Sequence, residues 1–465
     1  MLDFTLDPAG SEPIFLQIAA RVRSAIAAGE IAPGARLPST RALAARLSVA
    51  RGTVDAAYAA LAGEGAVLTR GSIGTVVSGA VGARPGPVGH TPFMFGAIPA
   101  SDATPPLPFR VGLPALDAFP QRLWSNLTTH AVRGFQAADL AGSETAGVLA
   151  LRQAVASYLG AARGIACAPG QVLVTAGYQG ALTLVRHVLV RAGDPVWLED
   201  PGYHLCRQAL ETAGARVVPV RVDQDGLRVA AGVAAAPRAK LAVVTPTHHC
   251  PTGVAMSLPR RLELLAWAAE AGSWILEDDY DSEFRYSGRP LPSLKSLDRG
   301  ERVLYAGSFS KTLFPALRLG YLVVPAELAA AFLRAARLTS LALPALEQTV
   351  AAAFMRKGHF TRHIRRMRHL YADRRRALAA ALQTVFGERI RLEPAAGGLH
   401  LLARFPGAAD DTELVRRAAA AGLAPSALSP LALAHDCGHG LLLGFANIAA
   451  EEAEATAARL AGAIG

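Results

Sequence analysis

Cysteine is scarce in this 465-residue chain: Cys167, Cys206, Cys250 and Cys437 are scattered, and none falls in a Cys-x-x-Cys pair. Such spacing supports neither a zinc site nor a disulfide framework, and no metal ligand set is expected; it points to a reducing, cytoplasmic compartment. Long apolar runs are missing as well. Charges and prolines interrupt every candidate before the roughly 18 residues that a membrane span needs, so no membrane partner is expected. The opening Met1-Leu2-Asp3-Phe4 is acidic and leads into no apolar region, which argues against a secretory signal. Positive charge is not concentrated at the N-terminus either. In the first 80 residues Arg21, Arg23, Arg36, Arg41, Arg46, Arg51 and Arg70 are nearly balanced by Asp3, Asp7, Glu12, Glu30, Asp55 and Glu64. The formal net charge of +10 gathers largely between Arg356 and Arg376. That stretch reads as a solvated helix face or as a second DNA contact. Total charge therefore decides little, and nucleic-acid binding has to be read from pattern.

What the chain does have is apolar residues, 51% of the total, enough for a large core and against wholesale disorder. Its length implies two or three domains. Residues 11–78 read as three short helices and a hairpin. Residues 79–106 are rich in Gly, Pro and Ala without apolar periodicity, as expected of a linker. From 107 to 465, β-branched runs alternate with helical stretches: Val172–Thr175, Val196–Asp200, Val217–Val220, Leu241–Thr245, Trp274–Asp278 and Val303–Ala306 are strands, with helices such as Gln179–Arg191 and Pro259–Glu270 between them. Continuous apolar strands separated by helices predict an α/β domain with a mostly parallel sheet covered on both faces.

In the N-terminal zone, Pro13–Ile26 has apolar residues at helical spacing and Gly29 is placed to end it. Pro38 keeps its predecessor extended and Ser39 is a ready N-cap for a helix over 39–47. Leu47-Ser-Val-Ala50 turns into a third helix, Arg51–Leu61, completing a helix-turn-helix. Residues Gly65–Val77 read as a two-stranded wing with a Gly-rich tip. A recognition helix meets base edges with its first residues, here Arg51, Gly52 and Thr53: Arg51 can reach guanine bidentately and Gly52 permits close approach. Ser39, Thr40 and Arg41 lie at a helix start that favours phosphate, and Arg70 on the wing can reach phosphate or the minor groove. The run Pro33-Gly-Ala-Arg-Leu-Pro-Ser39 with the helix that follows resembles the GntR-type winged helix across the whole module. This implies double-stranded operator DNA as a partner. Asp55 departs from that pattern, an acid where the family often carries a basic or polar contact.

The large domain carries four segments of complementary chemistry. Gly307-Ser-Phe-Ser-Lys311 follows an apolar strand; a lysine there is costly unless used, and imine formation with an aldehyde cofactor is one use. Ser308, Ser310 and Arg318 offer donors for a phosphate. Trp274–Phe284 ends a strand in carboxylates, and alternation puts Asp278 and Tyr280 on one face, Glu277 and Asp279 on the other. Asp278 can hold a pyridinium nitrogen and Tyr280 a ring oxygen. A metal site is the alternative for these acids, but no histidine stands at ligand spacing. Gly177, Tyr178 and Gln179 start a helix where a phosphate would sit, and Tyr203, after Glu199-Asp-Pro-Gly, can stack on a pyridine ring.

With these strings on the page, residues 107–465 resemble a fold-type I aminotransferase. Together with Pro251-Thr-Gly253, Glu277–Tyr286 and the winged helix, the chain resembles the MocR/GabR regulators. The resemblance implies pyridoxal 5'-phosphate as cofactor, attached at Lys311, with Asp278 on the pyridine nitrogen, Tyr280 on the ring oxygen and Tyr203 stacked. Ser308, Ser310, Arg318 and residues 177–179 would hold the phosphate, and the site would form in a homodimer. Three positions depart from the aminotransferase pattern. Cys250 stands where an Asn usually precedes Pro-Thr-Gly, Leu442 where an Arg clamps the substrate carboxylate, and Gly142 where a partner-subunit Tyr reaches phosphate. Losing the Arg removes affinity and orientation for amino acids, so no catalytic residues are expected. The expectation is a transcription regulator that senses pyridoxal phosphate itself or a small amine or amino acid. The rivals are an aminotransferase with an appended DNA-binding domain and a constitutive DNA-binding protein whose cofactor only stabilises the fold.

Overall fold

The structure, a computed structural model, describes residues 4–8, 12–71, 74–78, 106–142, 144–288, 291–339, 343–407 and 410–465, apart from the side chains of Arg70, Ala138 and Leu140. Residues 79–105, nearly all of the segment read as a linker, lie outside the described residues, as does the Arg70 side chain. Contacts divide the chain into two compact units, residues 1–102 and 103–465.

In the small unit, α1 (Ile14–Ala27) buries Ile18, Ala19, Val22 and Ile26, an i, i+4 stripe on one face. Gly29 follows at φ +78°, the left-handed conformation that ends helices cheaply. The Ser39 hydroxyl accepts from the Ala42 amide at 3.2 Å and caps α2 (Thr40–Leu47). Ser48 at φ 53° turns the chain into α3 (Arg51–Gly63). The three helices close over Leu43, Val54, Ala57 and Leu61. Strands β1 (Val67–Arg70) and β2 (Gly74–Val77) pair antiparallel as the wing, and Tyr58 donates to the Pro38 carbonyl at 2.9 Å.

The large unit is built on an eight-stranded sheet. Its strands are β3 (Val172–Thr175), β4 (Pro195–Asp200), β5 (Arg216–Asp223), β6 (Gly226–Leu227), β7 (Leu241–Val244), β8 (Trp274–Asp279), β9 (Val303–Ser308) and β10 (Gly320–Val323), in the order β3-β10-β9-β8-β7-β4-β5-β6. β9, β8, β7, β4 and β5 run parallel. β10 is antiparallel to both β3 and β9, so β3 runs the same way as the parallel set. Alternation sends Leu198, Leu276 and Leu304 to one core cluster and Trp197, Ile275 and Val303 to another. Burial on both faces explains why the strands read as continuous apolar runs. A second, antiparallel sheet follows, β11 (Arg391–Leu392), β12 (His400–Arg404), β13 (Ser426–Ala427) and β14 (Leu441–Gly444), in the order β11-β12-β14-β13. With β3, β4, β7, β8 and β9 aligned, their C-terminal ends meet on one edge, where open α/β sheets bind ligands. The segments singled out for chemistry all leave the sheet at that edge. Among the described residues no helix is long and apolar enough to cross a membrane.

Candidate cofactor pocket and DNA-reading face

Lys311 lies three residues beyond β9, and its Nζ donates to the Gly112 carbonyl at 2.6 Å. A Cβ at residue 112, which sits at φ +75°, would stand 2.5 Å from that nitrogen, so a larger residue there would push the end of the lysine side chain aside. Burial depresses the Lys311 pKa below the ordinary lysine value, and Arg110 acts in the same direction. Cys250, Asp281 and Asp278 oppose it. A lysine so placed keeps its amine available as a nucleophile.

Asp278 and its neighbours on β8 divide as alternation requires. Glu277 turns away and accepts from the Leu294 and Lys295 amides at 3.0 and 2.9 Å; burial pushes its carboxyl up to about 7. Asp279 takes Arg163 at 2.6 Å and the Tyr305 hydroxyl at 2.5 Å. These two are structural, and the β8 acids do not converge on a common point. Asp278 remains on the lysine's side. Burial pushes its carboxyl well above the carboxylate range, Asp279, Glu199 and Asp281 add to the rise, and Lys311 opposes it. A cation beside it would reverse this, which is what a pyridinium supplies.

Tyr280, also on this side, has its hydroxyl 3.0 Å from His248 Nδ1. Cys250, joined to Pro251 by a cis peptide bond, is raised to about 12 by burial and is an inert thiol here. Tyr203 and Tyr178 lie with ring centroids 6.2 Å apart and tilted, and the Tyr178 hydroxyl reaches Cys206 Sγ at 3.7 Å.

The phosphate candidates gather around Gly320. That residue pairs with Ser308 of β9 and with Thr175 of β3, and a Cβ on it would lie 2.9 Å from the Gly177 Cα. The β9–Lys311 loop and the start of the helix Gly177–Leu189 are thus side by side. The Ser310 amide donates to the Ser308 hydroxyl at 3.2 Å. Gln179 Nε2 is buried beside Tyr203 without a partner at bonding geometry, the space beside Gly177 is open, and Arg318, exposed at φ 52°, has no ion-pair partner among the described residues. An orphaned buried donor, an open helix start and a free guanidinium fit a phosphate. Lys311, Asp278 and Tyr280 fit the aldehyde and ring of the same molecule.

The departures also have structural meaning. Leu442 is buried with Leu402 and Leu428, directly opposite Leu402 in the β12–β14 register, so the carboxylate-clamp position is part of an apolar cluster. Gly142 ends the short helix Ala137–Ala141 and offers no side chain. Sequence reading missed Gly112, His248 and Asp281. Asp281, directly after Tyr280, and His248, two residues before Cys250, both had a signal nearby.

In the small unit, Ser39 is used as the cap, Thr40 opens α2, and Arg41 is exposed. Arg51 and Gly52 are exposed at the start of α3, with Thr53 half-buried. Arg51 Nε lies 3.6 Å from Asp55 one turn on, so the departing acid sits against the leading base-reading candidate.

Fold and site together define a DNA-binding winged helix joined to a pyridoxal-phosphate-binding aminotransferase fold. Residues 15–77 match the bacterial regulatory proteins of the gntR family, and residues 138–434 match aminotransferase class I and II. The chain is 37% identical over 456 residues to the probable rhizopine catabolism regulatory protein MocR of Rhizobium meliloti, covering 95% of this chain and 92% of that protein. It is 31% identical to the pyridoxine biosynthesis transcriptional regulator PdxR of Corynebacterium glutamicum, covering 96% and 95%. The α-aminoadipate aminotransferase LysN of Thermus thermophilus, solved with a phosphopyridoxyl-leucine, aligns at TM-score 0.71 and 30% identity over 77% of this chain and 92% of its own. The chain belongs to the MocR-type regulators, in which a GntR-family DNA-binding domain is fused to an aminotransferase-like, pyridoxal-phosphate-binding domain.

Proposed function

We propose that this chain is a cytoplasmic, homodimeric transcription regulator whose operator binding responds to pyridoxal phosphate itself or to a small amine carried on it. The single observation that carries this reading is a split within one domain. The residues proposed to hold the cofactor are all present, Asp278 buried and Lys311 and Tyr280 half-buried, while the position for clamping a substrate carboxylate is Leu442 in an apolar cluster. A pocket that holds the cofactor but does not orient an amino acid suits sensing better than turnover. The resemblance of the chain to a regulator named for pyridoxine biosynthesis supports the first choice of effector.

In this reading residues 11–78 bind DNA, 79–106 link, and 107–465 sense. Lys311 attaches the cofactor, which supplies an electrophilic aldehyde on a conjugated ring. Asp278 holds the pyridine nitrogen, Tyr280 the ring oxygen, and Tyr203 stacks. Ser308, Ser310, Arg318 and residues 177–179 take the phosphate. Ser39, Thr40, Arg41 and Arg70 position the duplex by phosphate, and Arg51, Gly52 and Thr53 read bases. The test is binding of the full chain to its own upstream DNA, cofactor-free and cofactor-loaded, at fixed salt, because phosphate contacts make affinity steeply salt-dependent. The expected result is a change in affinity or footprint that Lys311→Ala abolishes. Identical binding would make the cofactor a scaffold, and rapid turnover of amino donors would favour the enzyme.

A further inference from the structure

His248 is held more tightly than a core histidine needs to be. Its Nδ1 lies 3.0 Å from the Tyr280 hydroxyl and 3.0 Å from Asp281 Oδ2, and the ring and the carboxylate are both buried. The ring packs into space that only glycine leaves: a Cβ on Gly398 would stand 2.0 Å from its Cε1, and one on Gly253 3.2 Å from its Nε2, both glycines at positive φ. The opposite ring nitrogen, Nε2, is buried without a partner. It borders a small cavity of about 10 Å³, room for one water, also lined by Ser282 and Arg285, whose Oγ and Nε are likewise buried and unpartnered.

These contacts determine where the imidazole proton sits. A carboxylate can only accept, so Asp281 at hydrogen-bond distance requires the proton on Nδ1. A guanidinium N–H can only donate and a hydroxyl can donate, so the Nε2 side suits an unprotonated nitrogen. With its proton on Nδ1, His248 cannot take the Tyr280 hydroxyl proton. It can only donate toward the phenol oxygen, which leaves the O–H to point at another acceptor.

We infer that His248 is a positioning residue whose tautomer, set by Asp281, makes the Tyr280 phenol an obligate hydrogen-bond donor toward the cofactor's ring oxygen. This rests on the cofactor assignment above. Asp278, Asp281, Glu199 and Cys250 face the phenol, and His249 and His400 face the imidazole; all stay unchanged in the test except the residue substituted.

The experiment is a pH titration of visible absorption in the full chain loaded with pyridoxal phosphate, which reports protonation of the nitrogen joining Lys311 to the cofactor. A donor on the ring oxygen weakens that oxygen's hold on the shared proton and keeps the midpoint low. In Asp281→Asn the requirement for a proton on Nδ1 is lifted, Nδ1 can accept from Tyr280, and the midpoint rises by about one pH unit, a tenfold change. Loss of the Asp281 charge alone acts oppositely, because removing a nearby anion lowers the midpoint of a cationic nitrogen. The sign therefore separates the two causes. His248→Phe, which offers the phenol no competing acceptor, should leave the midpoint near the wild-type value even though it removes the same imidazole. In a Tyr280→Phe background Asp281→Asn should no longer raise it. A midpoint that falls or stays in Asp281→Asn overturns the inference. Failure of the wild-type chain to develop the visible band overturns the cofactor assignment instead, which is a separate result.

Discussion

His363 shows how much a single buried group can do. Its Nε2 donates to the Thr312 carbonyl at 3.0 Å, and burial, helped by Arg366, pulls its pKa down to about 4. The folded value lies below the unfolded one of about 6.5, so the unfolded chain takes the proton first. The stabilisation is present above about pH 6.5 and is lost as pH falls toward 4. Glu199, Glu277 and Glu283, raised to about 7 by burial, work in the opposite sense and lose their contribution as pH rises through that value. Comparison with His363→Gln, which keeps the donor but does not titrate, cancels that background. Between pH 7 and 5 the wild type should lose about 2 kcal/mol of unfolding free energy relative to the variant, measured by urea denaturation. A constant gap across that range would mean that His363 is not the proton acceptor. Lys311, Asp278 and Tyr280 were legible in the sequence because each carries unusual chemistry at a strand end. Gly112 and His248 were not. Gly112 matters only because the fold brings it to a lysine 199 residues away, and His248 only because a glycine-lined slot fixes its ring.

At the scale of elements, apolar runs located the parallel strands well: β3 is Val172–Thr175 as read, and β8 extends the reading by one residue to Asp279. β10 escaped because its place, antiparallel between β3 and β9, is a matter of topology rather than pattern. The two-residue strands β11 and β13 are too short to show a period. On α3 the reading of Arg51 gains a qualification, since Arg51 and Asp55 share one face at i, i+4. Both are exposed, so the pair contributes only a few tenths of a kcal/mol to the helix. Its greater effect is expected on DNA: if α3 reads bases as proposed, Asp55 would bring an anion near the phosphates and compete for the Arg51 guanidinium. Asp55→Ala should leave thermal stability unchanged and tighten operator binding several-fold at low salt, a gain that shrinks as salt screens it. Weaker binding restricted to particular bases would instead make Asp55 a reader of cytosine amino groups.

At the scale of the whole molecule, the two units have separate cores. The cluster around Ile18, Leu43 and Leu61 draws only on the N-terminal module, and the residues proposed to hold the cofactor all fall within 103–465. Regulation therefore requires a coupling free energy between them, and such a coupling is reciprocal. If loading the cofactor changes operator affinity by some factor, saturating the operator must change cofactor affinity by the same factor. Couplings of this kind usually amount to about 1–3 kcal/mol, roughly 5- to 150-fold. Two titrations on the full chain measure it independently: operator binding with and without pyridoxal phosphate, and cofactor binding followed by absorption with and without operator. Equal factors above about fivefold are expected, and in Lys311→Ala the factor in the operator titration should collapse toward one. A factor of one in both wild-type titrations would mean that the cofactor stabilises its own unit by mass action and carries no signal to the DNA. A change in one titration without its counterpart in the other is thermodynamically forbidden for a closed cycle, and would show that the two experiments sampled different oligomeric states, as expected if the dimer forms only when cofactor or operator is bound.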